Sequence, residues 1–405
     1  MAVGSERKVN ITPIEGIRLA AVESQIRYAN RLDLVLVEIA PDSTTAGVFT
    51  QNAFCAAPVR IARQRVEQCA SRYFLINTGN ANAGTGPEGE LAAMACCDGL
   101  AEIARTSSQQ ILPFSTGVIG ESLPFDKILA ALPALYETLS ADAWESAAQG
   151  ILTTDTRPKL ASASFTANGS QASISGFAKG SGMIRPNMAT LLAYVFTDAQ
   201  IEKPLLEKIL DRAVKNSFNR ITVDGDTSTN DCCMLVATGK GSLVITDSDS
   251  EAATQFQSEL NAVFEQLATD LIRDAEGASK FITIEVSEGA SEQECLAVAY
   301  TVAESPLVKT AFFASDPNWG RILAAIGRAG LSDLDIESVT VALGDTLLVS
   351  KGSVDAAYSE SAGQAEMDKD EIRVRINLGR GKVSERVWTS DLSSEYVRIN
   401  ADYRS

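Results

Sequence analysis

Lys179-Gly180-Ser181-Gly182-Met183-Ile184-Arg185-Pro186-Asn187-Met188-Ala189-Thr190-Leu191-Leu192-Ala193-Tyr194-Val195 lies near the middle of a 405-residue chain. Its first four residues are a flexible, small-residue approach carrying one cation, and Pro186-Asn187 marks a sharp turn. From Ala189 to Phe196 the run is apolar and reads as a buried strand. A small residue followed by Thr at a turn-to-strand junction suits self-cleavage. The hydroxyl attacks the preceding carbonyl, an N–O shift gives an ester, and hydrolysis frees a Thr with its own α-amine. That amine can then activate the hydroxyl as a nucleophile. On the pattern alone, an ordinary buried strand threonine is the simpler reading.

The rest of the composition bears on that choice. The chain contains no histidine, which removes Ser-His-Asp and Cys-His triads and most zinc sites. Acid–base chemistry near neutral pH then falls to a carboxylate, a lysine or an α-amine, whose ordinary pKa is ~8. A net charge of −17 argues against a nucleic-acid partner, because phosphate-binding surfaces need clustered Lys and Arg. No apolar run approaches the ~20 residues of a membrane span, and Met1 to Asn10 is polar, without a secretory apolar core. The seven cysteines form no CxxC pair, and Cys96-Cys97 and Cys232-Cys233 are vicinal. Reduced, mostly buried thiols in a cytoplasmic protein are expected.

Outward from the central stretch, strand-like and helical patterns alternate without a repeat. Strands are expected at Leu32 to Ala40, Tyr73 to Ile76, Phe281 to Val286, Ser338 to Leu343 and Glu371 to Asn377. Helices are expected at Glu90 to Arg105, Phe125 to Leu139 (with Pro133 against it), Glu202 to Asn216, Ala252 to Ala275 and Glu292 to Ala303. Asp247 to Glu251 and Ser359 to Asp370 read as solvated loops, and a soft boundary is placed near Ala199. The mixture predicts an α/β protein of layered elements, not a regular βαβ repeat.

Several polar segments have both a structural and a chemical reading. The Asn77 to Gly86 loop, with Gly79, Gly84 and Gly86, meets no phosphate-loop pattern and fits a tight strand-to-helix connection. In Ser115-Thr116-Gly117 a hydroxyl stands beside a glycine amide, the donor pair that an oxyanion hole needs. Thr153-Thr154-Asp155-Thr156-Arg157-Pro158-Lys159 is a turn or a source of substrate hydrogen bonds. Asp224-Gly225-Asp226-Thr227-Ser228-Thr229-Asn230-Asp231 lacks the order of a calcium loop and reads as a polar turn, so no metal is expected. Glu276 follows a helix, as a held carboxylate or a solvated one. Asp316-Pro317-Asn318-Trp319-Gly320-Arg321 opens a helix with Asp316 as its cap.

Taken in order along nearly the whole chain, these segments resemble the ornithine acetyltransferase family of arginine biosynthesis. The central Lys179 to Thr190 and the later Asp316 to Arg321 are its most specific parts. Support comes from Gly47 to Asn52, Asn77 to Ala83, Ser115 to Gly120, Thr153 to Thr156, Thr222 to Asp231, Glu276 to Ala278 and Ile399 to Tyr403.

The resemblance implies a layered α-β-β-α-like sandwich with N-terminal-nucleophile chemistry and its own connectivity. It implies self-cleavage between Ala189 and Thr190, giving an α chain of residues 1–189 and a β chain of 190–405, intertwined in one catalytic unit and assembled as an α2β2 heterotetramer. Thr190 would take the acetyl group from N2-acetyl-L-ornithine and pass it to L-glutamate by a ping-pong route, with its α-amine as base. Thr116 and Gly117 would hold the oxyanion. Thr153 (or Thr156), Lys179, Glu276, Asn400 and Ser405 would bind substrate. No cofactor is implied, and the sequence leaves open whether acetyl-CoA is a second donor. Arg185 falls at a variable position of the motif, and Ser405 stands where the family commonly has Thr. Two other readings stay open: an N-terminal-nucleophile amidase that hydrolyses its acyl-enzyme, and an uncut binding module.

Overall fold

The computed structural model describes residues 2–5, 7–185, 191–331 and 333–401. They divide into two compact units, residues 7–219 with 227–271, and residues 2–5 with 220–226 and 272–401. The boundary expected near Ala199 therefore falls inside the first unit. The chain leaves that unit for residues 220–226, returns, and leaves again after Leu271.

The first unit contains β1 (Ile17–Val22), β2 (Leu34–Ile39), β3 (Thr44–Phe49), α1 (Ala57–Gln68), β4 (Tyr73–Asn80), α2 (Gly86–Ala104), β5 (Ile111–Val118), α3 (Phe125–Glu137) and α4 (Trp144–Gly150). It continues with β6 (Lys159–Ala167), β7 (Ser170–Lys179), β8 (Leu192–Thr197), β9 (Gln200–Ile201), α5 (Lys203–Lys215), β10 (Cys232–Ala237), β11 (Val244–Ile245) and most of α6 (Glu251–Arg273). One sheet runs β1-β2-β4-β5 and a second β3-β10-β8-β7-β6. Side chains alternate across a strand, and β2 shows what that does here. Val35, Val37 and Ile39 join Phe74, Phe114, Phe177, Tyr194, Phe196 and Met234 in a core between the sheets. Leu34 and Leu36 face the other way, onto Cys96, Leu100, Ile128 and Leu132 of α2 and α3. On the far face of the second sheet Phe256 of α6 meets Phe165 of β6 with ring centroids 6.1 Å apart. The result is the expected α-β-β-α layering.

The same alternation sends Cys232 into the sandwich core while its neighbour Cys233 points to the opposite face. All seven cysteines are free, and five of them are buried, as expected. Pro133 sits inside α3 without ending it. Ile128, Leu132 and Leu135 bury a continuous helix face there, and that packing outweighs the lost backbone hydrogen bond.

The second unit contains β12 (Phe281–Gly289), α7 (Glu292–Ala303), α8 (Pro306–Phe313), α9 (Trp319–Gly327), β13 (Thr340–Leu343), β14 (Thr346–Ser350), β15 (Ser353–Val354), α10 (Glu360–Met367), β16 (Glu371–Asn377), β17 (Val383–Ser390) and α11 (Ser394–Ala401). Its sheet runs β15-β14-β13-β16-β12-β17, with β12 parallel to β16. Two expectations change here. Ser359 to Asp370 is not a loop but contains α10, capped by Ser359 accepting from Ala362 N–H. Only Gly363 and Met367 of that helix are buried, so it carries no apolar period to read. The cap of α9 is Asn318, whose Oδ1 accepts from Arg321 N–H at 3.1 Å, while Asp316 accepts from the Asn318 amide. No helix among the described residues is long and apolar enough to cross a membrane.

Candidate active site

Thr116 and Gly117, the expected oxyanion pair, sit near the end of β5. In the parallel β4–β5 ladder Thr78 stands opposite Thr116 and Gly79 opposite Gly117, and the register then slips at Asn80. Gly117 has φ +133°, and a Cβ there would lie 2.3 Å from the Gly79 carbonyl carbon. Glycine is needed because two backbones meet. Thr116 is buried, and no other described residue hydrogen-bonds its hydroxyl. An inward polar group that the fold does not consume suits a ligand oxygen.

Lys179 ends β7, buried, and donates from Nζ to Thr153 Oγ1 at 3.2 Å. The antiparallel register places Lys179 opposite Leu192, two residues beyond Thr190 in sequence. The Thr153–Lys159 turn is built around Asp155. Its Oδ1 accepts from Gly180 N–H at 2.8 Å and from the buried Lys159 ammonium, and its Oδ2 from Thr153 N–H at 3.1 Å. Burial opposes the Asp155 charge, but Lys159, then Lys179 and the Gly180 N–H, hold its carboxyl well below the usual range. Thr154 and Ser181 hydroxyls meet at 2.6 Å. The turn thus clamps the approach to the central motif, and one of the two candidate threonines, Thr153, is bonded to Lys179. Arg185 is exposed.

Glu276 and Asn400 belong to the second unit and meet there: Asn400 Nδ2 donates to Glu276 Oε2 at 2.7 Å and to Tyr396 O at 3.0 Å. Glu276 is buried, which rules out a solvated acid there. The turn is locked onto α11 because Ser393 Oγ donates to Gly277 O at 2.6 Å. A Cβ at Gly277 (φ +68°) would come within 2.5 Å of Tyr396 N. Thr190, Ala189 and Ser405 lie outside the described residues.

Sequence reading missed how the polar run Asp224 to Asp231 ends. Its start is the expected turn, with Asp226 N–H donating to Asp224 Oδ1 at 3.3 Å. Thr229, Asn230 and Asp231 instead are buried. Burial pushes the Asp231 carboxyl well above its usual range, against the pull of Ser228, Lys179 and the Leu191 N–H, and its Oδ2 has no hydrogen-bond partner among the described residues. Among the described residues no group of His, Cys, Asp and Glu is arranged to hold a metal.

The profile of the ArgJ family matches residues 18–405. The arginine biosynthesis bifunctional protein ArgJ of Pseudomonas fluorescens is 52% identical over 406 residues, covering 100% of both chains. That of Methylococcus capsulatus is 53% identical over 397 residues, covering 98% of this chain and 97% of its own. The crystal structure of the Bacillus halodurans ArgJ protein is 37% identical, with a TM-score of 0.50, over 52% of this chain and 99% of the solved one. With a family match along nearly its whole length and full-length relatives above half identity, the chain belongs to the ArgJ family.

Proposed function

We propose that the chain transfers the acetyl group of N2-acetyl-L-ornithine to L-glutamate through an acetyl ester on Thr190, after cutting itself between Ala189 and Thr190. The observation that carries this reading is the register of Lys179. A buried cation bonded to the Thr153 hydroxyl stands opposite Leu192, at the start of the strand that Thr190 leads into. In the first half-reaction the Thr190 α-amine takes the hydroxyl proton, Oγ1 attacks the acetyl carbonyl, and the tetrahedral oxyanion is held by Thr116 Oγ1–H and Gly117 N–H. Collapse expels the α-amine of ornithine, protonated by the Thr190 ammonium. Glutamate runs the same steps in reverse, its α-amine attacking the ester. Both substrates share an α-amino-acid head, so one set of groups, Thr153, Lys179, Glu276, Asn400 and Ser405, serves each in turn.

The Bacillus comparison supports the cut. That solved chain aligns along 99% of its own length yet spans 52% of this one, about what residues 190–405 would span alone. The second sheet supports two intertwined chains, since β3, β6 and β7 precede the proposed cut and β8 and β10 follow it. An α2β2 assembly in the cytoplasm completes the proposal. The bifunctional designation of the relatives supports acetyl-CoA as a second donor to the same nucleophile.

Incubating the protein with N-acetylornithine alone and digesting it should yield a Thr190 peptide heavier by one acetyl group, which glutamate then discharges as N-acetylglutamate. Release of free acetate at the rate of ornithine release, with glutamate present, would make the protein a hydrolase instead.

A further inference from the structure

Asn230 is 5% exposed, and its side-chain polar atoms are all occupied. Nδ2 donates to Ala81 O at 2.6 Å and to Ser115 O at 2.9 Å, and Oδ1 accepts from the Thr229 hydroxyl at 2.6 Å. Ser115 O belongs to the peptide that ends in the Thr116 nitrogen, so Asn230 fixes the plane on which Thr116 is mounted. Two residues further on, Cys232 N–H donates to Leu191 O at 3.1 Å, and Cys232 stands opposite Leu192 in the parallel β8–β10 ladder. Leu191 is bonded to Thr190. A path of two hydrogen bonds and three consecutive residues, Asn230, Asp231 and Cys232, therefore joins the Thr116 peptide to the residue that follows Thr190. The rest of the run is anchored as well, by Ala56 N–H on Thr229 O at 2.9 Å and Thr50 N–H on Asp231 O at 3.0 Å.

We propose that Asn230 is a positioning residue for acetyl transfer, holding the oxyanion donor Thr116 in register with β8, the strand that follows Thr190 in sequence. This rests on the reading of Thr190 as nucleophile and Thr116 as oxyanion donor. Asn230 touches no substrate; it acts by where it puts Thr116. Oxyanion stabilisation requires donors within a few tenths of an ångström of their place, and an amide bridging two carbonyls of adjoining segments is a stiff way to keep them there.

A buried amide that only satisfied two carbonyls would also cost stability when removed, so melting temperature does not discriminate. A double-mutant cycle does. N230A should lower kcat at least about tenfold with KM changed less than about threefold. In the T116V background, where no hydroxyl remains to be misplaced, N230A should lower kcat by less than about threefold. Equal losses in the two backgrounds, or a loss carried by KM, would overturn the proposal. If T116V itself does not slow the enzyme, it is the oxyanion reading that fails, and the two failures are told apart within one data set. If N230A does not fold or is not cut, N230D decides. It keeps the shape and the oxygen for Thr229, and sets a carboxylate against two carbonyls unless it is protonated. Its rate relative to wild type should then rise as pH falls; a ratio flat with pH overturns the proposal.

Discussion

Thr116→Val removes one hydroxyl and keeps the branched side chain. No other described residue bonds that hydroxyl, so its loss orphans no internal partner. The folded state should be little changed, because no internal hydrogen bond is lost and a methyl group takes the place of the hydroxyl. The catalytic effect is of a different size. An oxyanion forms only in the transition state, and one donor to it is worth about 3 kcal/mol, or 10²–10³-fold in kcat. KM should move by less than about threefold, since the ground-state carbonyl draws little on that donor. Initial rates of ornithine release over a grid of N-acetylornithine and glutamate concentrations give both constants and show whether the reciprocal plots stay parallel. T116S, which restores the hydroxyl, should recover most of the rate. A drop in kcat below about fivefold, with melting unchanged, would refute the assignment of Thr116 to the oxyanion. Gly117→Ala is no substitute for this test, because its Cβ would strike the Gly79 backbone and misplace both strands.

Two further outcomes are expected from the buried charges. Asp155→Asn removes the carboxylate that pairs with the buried Lys159 ammonium, and breaking such a pair costs about 3–5 kcal/mol. Because the Asp155 carboxyl is held below its unfolded value, the stability gap between wild type and D155N should be full above pH ~5 and close only as pH falls well below ~4. Denaturant melts across pH check this, and a gap that vanishes near pH 5 contradicts it. In the second unit Lys309 is buried, donates to Thr389 Oγ1 at 2.8 Å and to Ser390 O, and is pushed down to about 8 by that burial. Between pH ~8 and ~10.5 the unfolded chain holds a proton that the native state has lost, so stability from this group rises with pH, by about 3 kcal/mol in all. K309M should lack that rise relative to wild type, and parallel curves for the two proteins would show Lys309 to be charged in the fold.

The sequence exposed whatever was carried by period or by residue type. The nearly continuous apolar run of Leu34 to Ile39 is the two-faced burial of a strand between a helix layer and a second sheet. Gly79 was visible as a loop glycine and Gly117 as the amide beside a hydroxyl, but their contact across the ladder needs the register. Helix α10 escaped because its buried face is one glycine and one methionine. At the candidate site, Thr116, Lys179 and Thr153 were singled out by the motifs around them. The Lys159–Asp155–Gly180 clamp and the Asn230 bridge were not, since Gly180 lies 25 positions from Asp155 and Asn230 lies 115 from Ser115, and polar residues in a turn look alike whether buried or solvated. The partition into units was illegible for a similar reason: residues 220–226 pair with β17, through Ile221 and Trp388, and no local pattern announces so distant a partner.

The central claim is that one precursor becomes two chains, the second beginning at Thr190. Intact-mass measurement of the purified protein under denaturing conditions tests it directly, with one round of N-terminal sequencing. The account predicts two polypeptides whose masses sum to that of the 43.0 kDa precursor plus one water. The smaller should end at Ala189 and the larger start with Thr190, while T190A remains whole. A wild-type protein that stays a single chain at 43.0 kDa, yet transfers acetyl groups at full rate, would contradict it.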